Sequence, residues 1–364
     1  MDFGLRIVDR YIGKEIIMTW AAVMFVLLLV IMSAELVRQL SWLAEGRIGV
    51  DSLLPLFLNS LAKNSIQLMP LTLLLAILFG FGRLYKDSEM AALMSAAMGP
   101  VEWYRPVIMI ALPGALVLLL LSLFVVPELY FNKTRILDEA GSRSDLSSMM
   151  VGRFNASDSG AAVFFQESKS AQGNASRGIF FHQVKEGTQM LDIAATAQNV
   201  RDETGDRFLV MNDGRQYLGR AGEADFRIIE YEEYGIRLPD NDSTPDRGLK
   251  SMPSQELWGA QGPKSQAELH WRLTLPLAMF MLAIIAVPLS YAKPRSGRYG
   301  NIALALFIYL LYQNLLGLCK RWIEGGSIGV WPGSWWVHAI ALVLAATLLW
   351  RQGFLFFRTP GRHS

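Results

Sequence analysis

Six long hydrophobic stretches run along the chain, three before and three after a polar block of roughly 140 residues. Each stretch approaches the ~20 residues that an α-helix needs to cross the hydrocarbon core of a bilayer. The spans are predicted at about 16–34, 53–81, 106–126, 273–291, 301–318 and 335–350. Tryptophans such as Trp42, Trp271 and Trp350 lie near their ends, where membrane proteins carry interfacial anchors. The pattern predicts an integral membrane protein with one inserted polar domain.

Lysine and arginine concentrate in four short segments: the N-terminal segment, the second-to-third loop, the fourth-to-fifth loop and the C-terminal tail. With six spans, all four segments fall on one side of the membrane. Because the side rich in Lys and Arg faces the cytoplasm, both termini are predicted to be cytoplasmic and the polar block to face outward. The basic residues are Arg6, Arg10, Lys14, Arg83, Lys86, Arg105, Lys293, Arg295, Arg298, Arg351, Arg358 and Arg362.

The polar block contains short aromatic and β-branched runs separated by Gly, Asn, Asp and Ser, which is typical of strands and turns. Strands are predicted at 162–167, 178–184, 189–194, 207–212, 215–219 and 226–232, with turns at 203–205 and 212–214. This spacing favours an all-β sandwich or an open barrel. The predicted organisation is a first membrane half (1–127), a β-domain (128–269, with a linker at about 239–264) and a second membrane half (270–364).

Strand alternation places Val163 and Phe165 on one face of their strand, and Ile179 and Phe181 on one face of the next. In one interpretation, these residues form the core of the sandwich. In the other, the two sheets splay apart and their facing apolar residues line a groove for acyl chains. The Phe-Phe pairs of both strands leave a large residue on each face, which is compatible with the groove.

Composition and motifs exclude several classes of function. The net charge of +2 is too small to indicate a nucleic-acid partner. A single cysteine, Cys319, rules out an intrachain disulfide and a cysteine-based metal cluster. The chain has no G-x-x-x-x-G-K-[ST], H-E-x-x-H or G-x-S-x-G motif, so no catalytic residue, metal or cofactor is predicted. The span interiors lack charges for an ion or proton relay, so a transporter of this type needs an external motor.

The second-to-third loop predicts a short helix at about 87–99. Asp87 or Ser88 suits the N-cap, Glu89 suits the first turn, and Gly99-Pro100 is a stop signal. A soft apolar stripe of Met90, Leu93, Met94 and Met98 follows, of the kind that suits adaptable docking surfaces. This helix either lies in the lipid headgroup region or couples the membrane domain to an ATPase, with Glu89 meeting a basic residue of that ATPase.

The segment from Gly82 to Gly99, GRLYKDSEMAALMSAAMG, looks like the cytoplasmic loop of the LptF/LptG permeases, which extract lipopolysaccharide from the bacterial inner membrane. Residues 268–272 (ELHWR), 287–290 (VPLS) and 294–298 (PRSGR) resemble the LptF branch in particular. The resemblance extends over essentially the whole chain, including the three-plus-three layout. One alternative is an LptG-type subunit, which VPLS and PRSGR disfavour. The other alternative, from a different class, is an envelope-assembly scaffold that transports nothing.

The resemblance implies six transmembrane helices with an inserted periplasmic β-jellyroll, in the bacterial inner membrane. It also implies a heterodimer with an LptG-like paralogue, two copies of an LptB-like ATPase, an LptC-like single-helix protein and lipopolysaccharide as the substrate. The resemblance further implies no nucleic-acid partner, and ATP hydrolysis by the separate ATPase and not by this chain.

Several residues acquire roles through this resemblance. Glu89 would contact the ATPase, beside Ser88, Met90, Leu93 and Met94. The first span and 301–318 would flank lateral gates for lipid, at Val26, Leu29, Leu304 and Leu311. Lipid would meet Leu36, Arg38, Phe165 and Phe181.

Arg38 matches a basic position near the lipid phosphates, for which its planar guanidinium is suited. Alternatively, Arg38 snorkels to the membrane interface. Some relatives carry a second basic residue one turn earlier, where this chain has Glu35. This difference suggests that the paralogous partner supplies most of the phosphate contacts.

Overall fold

The computed structural model describes residues 7–45, 48–96, 98–144, 152, 154–156, 162–169, 175–185, 188–201, 207–220, 225, 227–237, 247–260, 262–291, 298–329 and 332–351. The chain divides into two compact units. The helical unit comprises Met1–Glu35, Leu58–Asn132 and Arg247–Ser364, and the sheet unit comprises Leu36–Phe57 and Lys133–Asp246. The predicted domain limits at residues 128 and 269 stay a prediction.

The described residues form nine α-helices and one π-helical turn. The helices are α1 (Ile7–Ala44), α2 (Val50–Lys86), α3 (Glu89–Ser95), α4 (Pro100–Leu120), α5 (Val126–Ser144), α6 (Ser254–Gly259), α7 (Pro263–Leu289), α8 (Arg298–Glu324) and α9 (Trp335–Arg351). The π-helical turn, Leu121–Val125, joins α4 to α5. The third predicted span is therefore part of a longer helical run that ends at Ser144.

Five helical segments of the described chain are long and apolar enough to cross a membrane. They are Ile7–Ala44, Val50–Lys86, Glu102–Glu139, Pro263–Leu289 and Asn301–Glu324. The helix α9 is also apolar but has 17 residues, at the lower limit of ~17 for a spanning helix. Five of the six predicted spans thus correspond to such segments, and the sixth stays a prediction.

The helix α7 forms much of the core of the helical unit. It packs against α4, α6, α8 and α9, and most of its residues from Thr274 to Leu289 are buried or half-buried. The backbone of α4 approaches α7 closely at Gly114, since a Cβ there would lie 2.8 Å from Cε of Met279. By contrast, α1 and α8 fully bury only a small part of their apolar side chains in this chain.

Six strands form one antiparallel sheet in the order β1 to β6, so each strand pairs with the next strand in the chain. They are β1 (Phe154–Ala156), β2 (Ala162–Lys169), β3 (Ala175–Lys185), β4 (Thr188–Arg201), β5 (Arg207–Arg220) and β6 (Arg227–Arg237). This arrangement confirms a membrane protein of the α plus β class. Since the described strands belong to one sheet, the two-sheet sandwich or jellyroll stays a prediction.

A row of positions across the sheet interrupts the regular pairing. The register aligns Glu167, Gly178, Ala195, Asp213 and Glu232, and regular pairing resumes on both sides of this row. Two of these residues adopt positive φ angles, 61° at Gly178 and 52° at Asp213. As a result, the buried residues switch between even-numbered and odd-numbered positions where a strand crosses the row. Strict alternation along a strand does not anticipate this switch.

The predicted turn at Asn212-Asp213-Gly214 is wrong. These residues lie inside β5, which runs without a break from Arg207 to Arg220. The physical reason is that Asn, Asp and Gly tolerate the left-handed conformation. That tolerance serves a kink within a strand as well as it serves a hairpin turn, and the sequence carries the same signal in both cases.

The segment predicted as a linker is partly helical. It includes α6 and the start of α7 at Pro263, while residues 239–246 lie outside the described residues. The predicted turn at 203–205 and residues 292–297, which hold most of the PRSGR motif, also lie outside them.

Candidate functional site

The short helix α3 follows α2 after a two-residue turn, Asp87 and Ser88. Ser88 has φ 62°, which is uncommon for a residue other than glycine. Ser88 holds the N-cap position, but its side chain makes no capping hydrogen bond. Glu89 begins the helix, as predicted, where a carboxylate interacts favourably with the helix dipole. The helix has seven residues and is shorter than the predicted three turns.

The apolar side chains of α3 divide into two groups. Met90 is 0 % exposed and belongs to the core of the helical unit, and Leu93 packs against that core. Met94 is 40 % exposed and lies beside exposed Ala91 and Ser95. Met90 and Leu93 therefore attach α3 to the helices, while Met94 is available for contact with another protein.

Glu89 is held by side chains of two other helices. The hydroxyl of Tyr11, in α1, donates a 2.7 Å hydrogen bond to Oε2 of Glu89. Arg83, near the end of α2, lies within 4 Å of three carboxylates: Glu15 at 2.6 Å, Asp87 at 3.5 Å and Glu89 at 3.5 Å. Arg83 also donates a 3.1 Å hydrogen bond to the Tyr11 hydroxyl. Three carboxylates share one guanidinium here, so the Glu89 carboxylate itself can pair with a further cation.

The predicted gate residues all expose their side chains. On α1, Val26 and Leu29 belong to a run of exposed apolar residues, and on α8 Leu304 and Leu311 do so as well. Because exposed apolar residues in a membrane-spanning helix contact either lipid or a partner helix, these two faces are available for both.

Arg38 lies near the outer predicted end of the first span, in the sheet unit. Its guanidinium carbon lies 5.2 Å from the centre of the Trp42 ring, a cation–π contact, and neighbouring Leu36 is exposed. Glu35, in the helical unit, is buried and accepts a 2.8 Å hydrogen bond from the hydroxyl of Ser60. Glu35 therefore contributes to packing between α1 and α2.

The structure places Phe165 and Phe181 on opposite faces of the sheet. Phe181 is the cross-strand partner of Phe164, and Phe165 is the partner of Phe180. Directly opposed residues of an antiparallel pair share a face of the sheet. Residues 164 and 165 are neighbours in β2 and lie on opposite faces, so their partners do as well. The two predicted lipid contacts, Phe165 and Phe181, are therefore on different faces. We call the face that carries Phe181 the core face, because Phe181 packs there against a buried cluster of Ile179, Ala194, Ala197 and Met211.

Phe165 belongs to an aromatic group on the opposite face. Its ring centre lies 4.8 Å from that of Phe154, which also meets Phe180 edge-on at 6.0 Å. Phe154 is 68 % exposed. One groove therefore cannot be lined by both Phe165 and Phe181.

A buried carboxylate lies on the core face at Asp192. It accepts hydrogen bonds from Nε2 of Gln216 at 2.8 Å and from the Tyr231 hydroxyl at 3.2 Å. Burial raises the pKa of the Asp192 carboxyl, although both hydrogen bonds act in the opposite direction. Burial and the adjacent Asp192 charge raise the pKa of the Tyr231 phenol. Gly214 permits this arrangement, because a Cβ there would meet the Tyr231 ring at 2.3 Å.

Sequence reasoning missed a buried ionic network in the helical unit. Arg272 of α7 is 2 % exposed, and its guanidinium donates to the Ser254 hydroxyl at 2.8 Å and contacts Glu268 at 3.5 Å. Glu268 also pairs with Lys320 of α8 at 2.6 Å. The Ser254 hydroxyl in turn donates to the carbonyl of Leu123 in the π-helical turn. The sequence singled out residues 268–272 as a motif, and the i,i+4 spacing of Glu268 and Arg272 permits an ion pair, but neither signal reveals burial.

The long apolar helices and the inserted antiparallel sheet define a multi-pass membrane protein with a β-domain. Among the described residues, no group of three or more His, Cys, Asp or Glu is placed to hold a metal ion.

Comparisons with known proteins give the family. The family model "Lipopolysaccharide export system permease LptF/LptG" matches residues 10–351. The chain is 26 % identical over 355 residues to the "Lipopolysaccharide export system permease protein LptF" of Escherichia coli strain K12, covering 94 % of this chain and 95 % of that protein. The protein of the same description from Shigella flexneri has the same identity and coverage. The chain belongs to the LptF/LptG family and is a lipopolysaccharide export permease subunit.

Proposed function

We propose that this chain is the LptF-type subunit of an ATP-driven transporter that extracts lipopolysaccharide from the inner membrane and passes it to a periplasmic bridge. The observation that carries the proposal is the geometry of α3. This helix is fixed to the membrane helices through Met90 and presents Glu89 and Met94 at the surface of the described chain.

The topology of the proposal follows from the distribution of basic residues. Six spans, with both termini in the cytoplasm, place α3 on the cytoplasmic side and the sheet unit in the periplasm. An ATPase of the LptB type would bind α3 from below, as a dimer. An LptG-like paralogue would complete the membrane domain, and an LptC-like single-helix protein would join at a gate beside α1 and α8.

Lipid would enter between the exposed apolar faces of α1 and α8 and then meet Arg38 through its anionic phosphates. The Arg38→Glu variant is expected to weaken crosslinking of lipopolysaccharide to a photoreactive probe at Leu36, because like charges repel. Unchanged crosslinking would leave Arg38 as an interfacial anchor. We also propose that acyl chains follow the core face of the sheet, past Phe181.

The Glu89→Ala variant tests the coupling role. We expect it to reduce the amount of ATPase that co-purifies with the complex and to reduce ATP-dependent lipopolysaccharide release from proteoliposomes about tenfold, equivalent to about 1.4 kcal/mol. Glu139→Ala is a suitable control, because Glu139 forms an exposed pair with Arg135 at 3.6 Å on another helix. Normal ATPase association and normal release in Glu89→Ala would refute the proposal and favour a scaffold.

A further inference from the structure

We propose that Arg83 and Tyr11 are positioning residues that make α3 and the first turns of α1 move as one body. In this arrangement, movement of a bound ATPase reaches α1 through these polar contacts, in addition to the apolar core that holds Met90. The inference rests on the proposed coupling role of α3 and adds the route by which its movement reaches a gate helix.

The turn between α2 and α3 would otherwise be a weak mechanical link. Ser88 interrupts the helix with a left-handed conformation and supplies no side-chain cap. A seven-residue helix is too short to be stable through its own hydrogen bonds. The orientation of α3 therefore depends on its side-chain contacts with other elements.

Besides the core contacts of Met90 and Leu93, the polar contacts of α3 converge on Arg83. Its Nε donates to Oε1 of Glu15 at 2.6 Å, its Nη2 donates to the Tyr11 hydroxyl at 3.1 Å, and its Nη1 lies 3.5 Å from Oε1 of Glu89. Tyr11 closes the cluster through its 2.7 Å hydrogen bond to the other oxygen of Glu89. The side chains of Arg83, Glu15 and Glu89 are 37 %, 25 % and 33 % exposed. A network of partly buried charges holds a geometry more firmly than a single surface pair does.

The same part of α1 is attached to α2 and α4 at further points. Gly80 of α2 brings the backbone close to Glu15, since a Cβ at Gly80 would lie 3.6 Å from Cγ of Glu15. One and a half turns further along α1, the indole of Trp20 donates a 2.9 Å hydrogen bond to the hydroxyl of Thr72. Arg105 of α4 pairs with buried Asp9 at 3.4 Å.

The exposed apolar run of α1 lies beyond these attachments, from Phe25 to Val30. The helix is continuous from Ile7 to Ala44, and a continuous helix transmits a displacement along its length. Displacement of α3 would therefore tilt the part of α1 whose surface is proposed to admit lipid.

Two variants in the assembled transporter test this inference. Arg83→Gln removes the charge at the centre of the network, and Tyr11→Phe removes a single hydroxyl without changing the ring. We expect both complexes to retain the ATPase and ATP hydrolysis, because Glu89, Met94 and the core contact of Met90 remain. ATP-dependent lipopolysaccharide release should fall about fivefold or more, the size of a typical coupling between sites. Arg135→Gln, at an exposed i,i+4 pair of α5, is the matched control.

The outcomes separate this inference from the proposed function. Unchanged release in both variants would overturn the inference while leaving the role of Glu89 intact. Loss of ATPase binding in both variants would also overturn it, because Arg83 and Tyr11 would then belong to the docking surface itself. If Glu89→Ala has no effect on binding or release, the proposed function fails, whatever Arg83→Gln does.

A distance measurement tests the rigid connection directly and does not depend on transport. Spin labels at Lys14→Cys and Ser95→Cys, both exposed positions, report the separation of α1 and α3, with the buried Cys319 replaced by alanine. We expect the same narrow distance distribution without nucleotide and with ATP, and a broader distribution in Arg83→Gln. A distance that changes with nucleotide in the otherwise unaltered protein would contradict the inference.

Discussion

At the scale of single residues, the described part of the sheet unit buries the carboxylate of Asp192. Asp192 receives hydrogen bonds from Gln216 and Tyr231, yet burial still raises its pKa. A folded state with a raised pKa binds the proton more tightly than the unfolded chain does. The contribution of Asp192 to stability is therefore most favourable in acid and is lost as the pH rises from the unfolded pKa to the folded pKa.

The Asp192→Asn variant should remove this pH dependence, because asparagine does not ionise. Hydrogen exchange of β4 and β5 in the full-length protein, corrected for intrinsic exchange rates, is the appropriate measurement. Protection of the unaltered sheet should decline with rising pH in the acid range, and protection of the variant should not. Asp225→Asn, at an exposed position between β5 and β6, is the control. An identical slope in Asp192→Asn and the unaltered protein would show that Asp192 is not the group that titrates.

The sequence predicted single residues best where the role of a side chain depends only on its neighbours in the chain. It predicted that Glu89 lies in the first turn of a short helix, and the structure confirms that position. It could not predict that Tyr11 and Arg83 meet Glu89, because Tyr11 lies 78 positions away in the chain. A contact between two helices depends on their packing, and no local pattern encodes it.

At the scale of elements, the apolar residues of α3 illustrate a limit of helical patterns. Helical spacing placed Met90, Leu93 and Met94 on one stripe, but the core of the helical unit covers Met90 and not Met94. The two methionines therefore predict different effects on substitution. Comparing substitutions of the two methionines distinguishes the anchoring of α3 in the helical unit from the docking of α3 to the ATPase.

Met90→Ala should destabilise the helical unit by about 2–5 kcal/mol, as large-to-small changes at buried sites do. Met94→Ala should leave stability almost unchanged and reduce co-purification of the ATPase. Thermal unfolding of the detergent-solubilised chain and a pull-down with the ATPase measure the two effects. A large loss of stability in Met94→Ala, or none in Met90→Ala, would reverse the assignment of the two side chains.

The kink across the sheet is a second element-level feature, and glycine substitutions test it. Gly178 has φ 61°, and a Cβ there would lie 2.7 Å from Cβ of Glu167, so Gly178→Ala is expected to cost about 1–3 kcal/mol. Gly235 lies in β6, and its nearest contact for a Cβ is an ordinary 3.9 Å to Phe208. Gly235→Ala should therefore be tolerated. Hydrogen exchange of β3 and β6 compares the variants, and equal protection in both would argue against a kink at Gly178.

The same kink explains why the strands were predicted only in part. Sequence alternation placed Ile179 with Phe181, and both residues do lie on the core face. The turn at 212–214 was wrong because the left-handed residue Asp213 is supported by strands on both sides, which one strand's sequence does not show. The switch of the buried residues between even-numbered and odd-numbered positions depends on the whole row of aligned residues, and not on one strand alone.

At the scale of the whole molecule, hydrophobic run length predicted the membrane class correctly, since span length is set by the bilayer and not by tertiary contacts. Five long apolar helices and an inserted antiparallel sheet follow the predicted order. Run length does not reveal where a helix ends once it leaves the membrane, so the continuation of α5 to Ser144 was missed. Polar networks such as the one around Arg272 require the folded arrangement of α6, α7 and α8.

Photo-crosslinking from Phe181, with Phe165 as the comparison on the opposite face of the same sheet, tests the central claim most directly. A photoreactive residue at each position would be activated in cells, and adducts would be detected by immunoblotting for lipopolysaccharide, with and without an active ATPase. The account predicts adducts at Phe181 that require the active ATPase, and few at Phe165. If export proceeds and Phe181 gives no adducts, lipid does not follow this core face, and the sheet unit serves as a docking platform.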